Sequence, residues 1–70
     1  MKIEQIKNDL NKINKNQLNI KNWFIYEINN LIGIKCGNTI INNELYNKNN
    51  YGLNKLYNDI IKRQLNELNK

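Results

Sequence analysis

Apolar residues recur at helical spacing near both ends of the chain, and an asparagine-rich stretch lies between them. From Lys2 to Asn16, Ile3, Ile6, Leu10 and Ile13 fall at steps of three and four, which lines one face of an amphipathic helix over residues 2–16. The opposite face is Asn, Lys, Glu and Asp. Asparagine side chains compete for backbone hydrogen bonds, so this helix depends on packing or on a partner for its order. The same register continues through Ile20, Phe24 and Leu31, with Gln17 and Glu27 as polar breaks, so a single long helix is an alternative. Asn16, Asn19 and Asn22 offer caps, and the preferred reading breaks the chain between Asn16 and Asn22. A second helix then spans 22–32 and buries Phe24, Ile28 and Leu31 or Ile32. Gly33 stands at its C-terminal cap, where a positive φ suits a residue without Cβ.

Residues 33–52 carry Gly37, Asn38, Asn42, Asn43, Asn47, Asn49, Asn50 and Gly52, a density of turn formers that reads as an irregular connector. Within it Thr39, Ile40 and Ile41 suit a short strand-like piece or an apolar plug, and two helical turns around Glu44 to Tyr46 are an option. The pattern clears again at Leu53: Leu56, Tyr57, Ile60, Ile61, Leu65 and Leu68 recur at helical steps, predicting a helix over 53–69 with Asn49 or Asn50 as N-cap. The expected fold is all-α. Two to three amphipathic helices form one small domain over residues 1–70, in a helix–turn–helix-like hairpin with a long Asn/Gly-rich connector.

Seventy residues leave a high ratio of surface to volume, and nothing visible staples the chain. The one cysteine, Cys36, rules out an intrachain disulfide, and histidine is absent, so no zinc site, other metal or cofactor is expected. There is no apolar run long enough for a signal peptide or a membrane span, so the expected setting is cytoplasmic, with no membrane partner. Asn, Lys, Ile and Tyr abound while Ala, Val, Pro, Ser and His are missing. AT-rich codons alone produce that bias, so the asparagine content says little about function. The net charge of +5 does bear on partners, since it favours a polyanion such as nucleic acid or anionic lipid.

No arrangement for catalysis stands out, and the chain does not read as an enzyme. Asp59 and Glu67 read as solvated charges on a helix. Cys36 lies beside Lys35 but has no partner base. In the last helix Lys55 and Lys62 are seven residues apart and share a face, with Arg63 adjacent and Asn54, Asn58 and Asn66 interleaved. Such a face suits phosphates and minor-groove acceptors, and equally suits a solvated surface opposite a core stripe. Trp23, Tyr26, Tyr46, Tyr51 and Tyr57 are candidates for base stacking or for core and rim packing.

The run from Glu27 to Ile34, with Gly37 just beyond it, resembles the central motif of the α/β-type small acid-soluble spore proteins. Glu27, Ile28, Ile32, Gly33, Ile34 and Gly37 match its spacing without a gap, and Phe24 falls where that family carries a large apolar residue. Gly52, Lys55 and the C-terminal helix lie near the distances expected for the rest of the pattern. Asn29, Leu31 and Tyr51 depart from it, and the family's loop serine is missing. The resemblance implies a DNA-coating protein of the spore core, two helices around a turn, that lies in the minor groove of double-stranded DNA without sequence preference. It implies DNA contacts from Gly33, Ile34, Gly37, Gly52, Lys55, Lys62 and Arg63, and protease cleavage between Glu27 and Ile28. Four to six phosphate contacts would give a salt slope of roughly four to five. The alternative is a small helical protein-interaction module, such as a phage or mobile-element inhibitor or a dimerising subunit, that buries the stripes Ile3 to Ile13 and Leu53 to Leu68.

Overall fold

A computed structural model describes residues 2–16 and 22–68. Helix α1 (Ile3–Asn16) obeys the apolar spacing, with Ile6, Leu10 and Ile13 buried on one face. The break expected after Asn16 falls mostly on 17–21, so Gln17, Asn19 and Ile20 lie outside the described residues, as does Asn69.

The all-α expectation fails at residue 23. Instead of a helix over 22–32, the chain forms strand β1 (Trp23–Ile28) and strand β2 (Leu31–Cys36), paired antiparallel with Ile28 opposite Leu31 and Trp23 opposite Cys36. Two runs rich in aromatic and β-branched residues, joined by Asn29 and Asn30, are a hairpin pattern. Asn29 takes the positive φ of 53° that the tight turn requires. The connector 33–52 is likewise ordered. β2 supplies its start, and Gly37, with φ 65°, turns the chain into β3 (Thr39–Ile40), the strand-like one of the two options open for 39–41, with Ile41 already in the next turn. A 3₁₀ turn (Ile41–Asn43), with Asn42 and Asn43 at φ 60° and 53°, leads to β4 (Tyr46–Asn47), a strand in place of the optional helical turns. Both β3 and β4 pair antiparallel with β2, one after the other along its second edge. The result is a mixed α/β domain with a four-stranded antiparallel sheet in which β2 is central and β1 is an outer strand.

The last helix starts earlier than expected. It runs as α2 (Asn50–Leu56), a π turn (Tyr57–Ile61) and α3 (Lys62–Leu68). Asn49 is its N-cap, the Oδ1 accepting from the Gly52 N–H at 2.7 Å, a bond that contributes about 1 kcal/mol. In the π turn the Lys62 N–H reaches back to the Tyr57 carbonyl, one residue further than an α-helical bond. That extra residue sets both Ile60 and Ile61 into the core and rotates α3 by roughly 100° relative to an unbroken α-helix. Lys55 and Lys62 therefore do not share the face that a seven-residue spacing implies.

The core joins α1, the inner face of the sheet and the last helix. Ile6 and Ile13, Ile32 and Ile34, and Leu56 and Ile61 are all fully withdrawn from water, each burial contributing roughly 1.5–3 kcal/mol. Trp23, Ile25, Leu65 and Leu68 close the rim.

Candidate interaction site on the outer hairpin

Along β1 the side chains alternate between two faces. Trp23 and Ile25 pack toward the core, while Phe24, Tyr26 and Ile28 take the outer face. There Phe24 is 60% exposed and Ile28 43% exposed, an unusual placement for large apolar groups two rungs apart on one strand. The register adds Lys35 opposite Phe24 and Leu31 opposite Ile28, and the Lys35 ammonium sits 5.0 Å from the centre of the Tyr26 ring. Beyond Tyr26 the outer face is closed: Gly33 lies under Leu45 and the Glu44 carbonyl, and a Cβ there would stand 2.7 Å from Leu45 Cδ2. Gly33 is thus a strand glycine that admits a covering segment, not a helix cap.

The open edge of β1 is a product of the turn. A two-residue hairpin makes Ile28 and Leu31 a hydrogen-bonded pair, and the alternation continues through Tyr26 with Gly33 and Phe24 with Lys35. The peptide groups of Trp23, Ile25 and Glu27 consequently point away from β2. Asn14 on α1 satisfies Trp23 on both sides, its Oδ1 accepting from the Trp23 N–H at 3.0 Å and its Nδ2 donating to the Trp23 carbonyl at 3.1 Å. Among the described residues nothing pairs with the outward groups of Ile25 and Glu27. A shallow groove runs beside this edge, lined by Lys7, Leu10, Asn11 and Asn14 of α1 and by Trp23, Phe24 and Ile25 of β1.

A second, polar constellation fastens β4 to the last helix. The Tyr46 hydroxyl lies 3.3 Å from Glu44 Oε2 and 3.2 Å from Asp59 Oδ2, while the Lys55 ammonium lies 3.1 Å from Glu44 Oε1 and 4.0 Å from Asp59 Oδ2. Burial first, then the two carboxylates, push the Tyr46 hydroxyl from 10.0 up to about 12. Glu44 likewise raises Lys55, and burial with the nearby Asp9 raises Tyr57. In the unfolded chain Tyr46 ionises near pH 10, in the fold only near 12, so its contribution is intact below 10 and is lost as the pH climbs through 12. A rise of that size corresponds to at most roughly 3 kcal/mol. The urea midpoint should therefore fall between these two pH values, and Tyr46→Phe should make the fall shallower, leaving the part that belongs to Lys55 and Tyr57. An equally steep fall in the variant would assign it elsewhere.

The residues singled out for DNA contact do not converge. Ile34 is in the core, Gly33 is buried under the Leu45 side chain and the Glu44 carbonyl, Gly52 is buried against the Asn47 backbone, and Gly37 is exposed in the β2–β3 turn. Lys55 is held by Glu44, whereas Lys62 and Arg63 are exposed. Glu27 and Ile28, the cleavage pair that the resemblance implies, sit in β1 and not near a helix end, and Glu27 pairs with Lys48 at 3.2 Å. Asp59 is no mere solvated charge, since it binds Tyr46. Of the aromatic residues, Tyr46 is core, Trp23 and Tyr57 pack against the core, and Tyr51 is 76% exposed. Phe24 and Ile28, expected in a helix interior, instead face outward. The signal that places them there is their alternation with Trp23 and Ile25 just before Asn29 and Asn30.

Among the described residues no three His, Cys, Asp or Glu side chains gather to hold a metal ion, and no helix is long and apolar enough to cross a membrane. Comparison with protein-family models, with curated proteins and with solved structures returns no match to this chain.

Proposed function

We propose that this protein is a small binding module, not an enzyme, whose working surface is the outer face and open edge of the β1–β2 hairpin. The observation that supports this most directly is the exposure of Phe24 and Ile28 on the strand whose edge also leaves the outward peptide groups of Ile25 and Glu27 without a partner among the described residues. An extended segment added to that edge gains main-chain hydrogen bonds while its alternate side chains cover the apolar pair. A cytoplasmic setting suits this reading. The test is selection from a displayed library of random peptides. The wild type should enrich extended sequences with alternating apolar residues, and F24S/I28S should not, although the two exposed substitutions change stability by only about 0.5 kcal/mol each. Equal enrichment by both proteins would refute the reading.

A second reading, contact with double-stranded DNA, is favoured by the adjacent exposure of Lys62 and Arg63 on a chain of net charge +5. With Lys55 engaged by Glu44, two phosphate contacts from these residues give a salt slope of about 2. Titration of random duplex DNA at several salt concentrations measures that slope, and K62E/R63E should abolish it.

A further inference from the structure

We infer that the occupant of this surface is a second copy of the chain, with β1 paired antiparallel to β1 about a two-fold axis that sets Tyr26 opposite the partner's Tyr26. The inference rests on the binding-module reading and narrows it to one partner.

The peptide groups restrict the register. Along β1, Ile25 and Glu27 are the residues whose outward N–H and C=O groups have no partner among the described residues, because Asn14 holds those of Trp23. In an antiparallel pair, outward-pointing residues must face one another to exchange bonds. With Tyr26 on the axis, Ile25 faces the partner's Glu27 and Glu27 faces the partner's Ile25, so every free group is used. Centring on Ile25 instead sets Trp23 against the partner's Glu27 and requires Asn14 to withdraw. Centring on Glu27 sets Ile25 against the partner's Asn29, which has already turned with φ 53°.

The side chains select the same register. Phe24 falls opposite the partner's Ile28, and Ile28 opposite the partner's Phe24, while the tyrosines meet at the axis. All three are non-hydrogen-bonded pairs, in which side chains approach most closely. The two most exposed apolar residues of the sheet thus cover each other, twice. Charge agrees as well. The partner's Glu27, whose Oε1 the partner's Lys48 already holds at 3.2 Å, brings its second carboxylate oxygen beside Ile25 on the face that carries the groove, where Lys7 is exposed and has no ion pair among the described residues. Symmetry makes this contact twice. The assembly also closes at two copies, because the other edge of the sheet consists of β3 and β4, only 2 residues each.

Sedimentation of the unmodified protein from about 10 µM to about 1 mM should show a concentration-dependent dimer. F24K should shift it fully to monomer. K7E should weaken it by about tenfold, and K7E/E27K should recover most of that loss. In a C36S background, Y26C should oxidise to a covalent dimer while I25C does not. A monomer throughout the concentration range overturns the proposal, as does crosslinking through I25C in place of Y26C. A chain that stays monomeric yet still enriches peptides through Phe24 and Ile28 overturns self-pairing alone and leaves the binding-module reading standing.

Discussion

Gly52→Ala should unfold this domain. Gly52 lies in the first turn of α2, and a Cβ built on it would stand 1.9 Å from the Asn47 carbonyl oxygen, 2.7 Å from its carbon and 2.8 Å from its nitrogen. All three are backbone atoms, so no side chain can swing aside. Nor can the backbone give way cheaply, because β4 is paired to Leu31 and Ile32, the Lys48 N–H donates to the Asn30 carbonyl, and Asn49 caps the helix. Alanine would ordinarily gain about 1 kcal/mol over glycine inside a helix, but the overlap costs at least about 3 kcal/mol. A domain of this size has little more than that in reserve. Urea titration monitored by circular dichroism should find the variant mostly unfolded before denaturant is added. Gly37→Ala is the control: nothing lies within 4 Å of its Cβ position, so only the φ of 65° is strained, at about 1 kcal/mol. Comparable midpoints for the two variants would show that the close approach of α2 to β4 has been misjudged.

Ile13→Ala should be the most damaging of the simple truncations on α1. Ile13 is fully buried, and removing its outer carbons costs about 2–5 kcal/mol, depending on how far the surroundings collapse. The loss does not stay local. A 14-residue helix with this much asparagine does not hold its own hydrogen bonds in water, so α1 persists only while docked. Asn14, the next residue, reaches Trp23 from that docked position. Helicity and the environment of Trp23 should therefore change together. Far-ultraviolet circular dichroism and tryptophan emission recorded on the same urea series would show one coincident transition at a lower midpoint. A helical signal that survives after Trp23 has become solvated would count against this coupling.

Much of the helical half of the fold is legible in the chain. Ile6, Leu10 and Ile13 fit only a helix at their spacing, and the last helix announces itself from Leu53 onward with Asn49 as an expected cap. The hairpin is hidden because Phe24, Ile28 and Ile32 lie four residues apart. A step of four is one turn of a helix and also two repeats of a strand, so spacing alone does not separate the two. The discriminating residues are Asn29 and Asn30, which fit a two-residue turn between two six-residue strands but sit poorly in mid-helix. The candidate surface shares that obscurity, since assigning Phe24 and Ile28 to a helix interior buries them. Lys55 misleads for another reason: its partner Glu44 is remote in sequence and reaches it only after β4 has folded against α2. The π turn leaves no local signature, because Leu56, Tyr57, Ile60 and Ile61 satisfy a regular helix as well.

AT-rich codons would by themselves produce an abundance of asparagine, yet Asn14 supplies a carboxamide that imitates the peptide group of a neighbouring strand. That imitation has a consequence for selectivity. On the proposed surface, two adjoining open rungs would hold an extended segment only when its side chains also agree with Phe24 and Ile28, whereas a third rung would add main-chain bonds that select no sequence. In that proposal Asn14 meters the length of the open edge from a different element, and a single helix side chain would keep a discriminating surface distinct from an indiscriminate, aggregation-prone one.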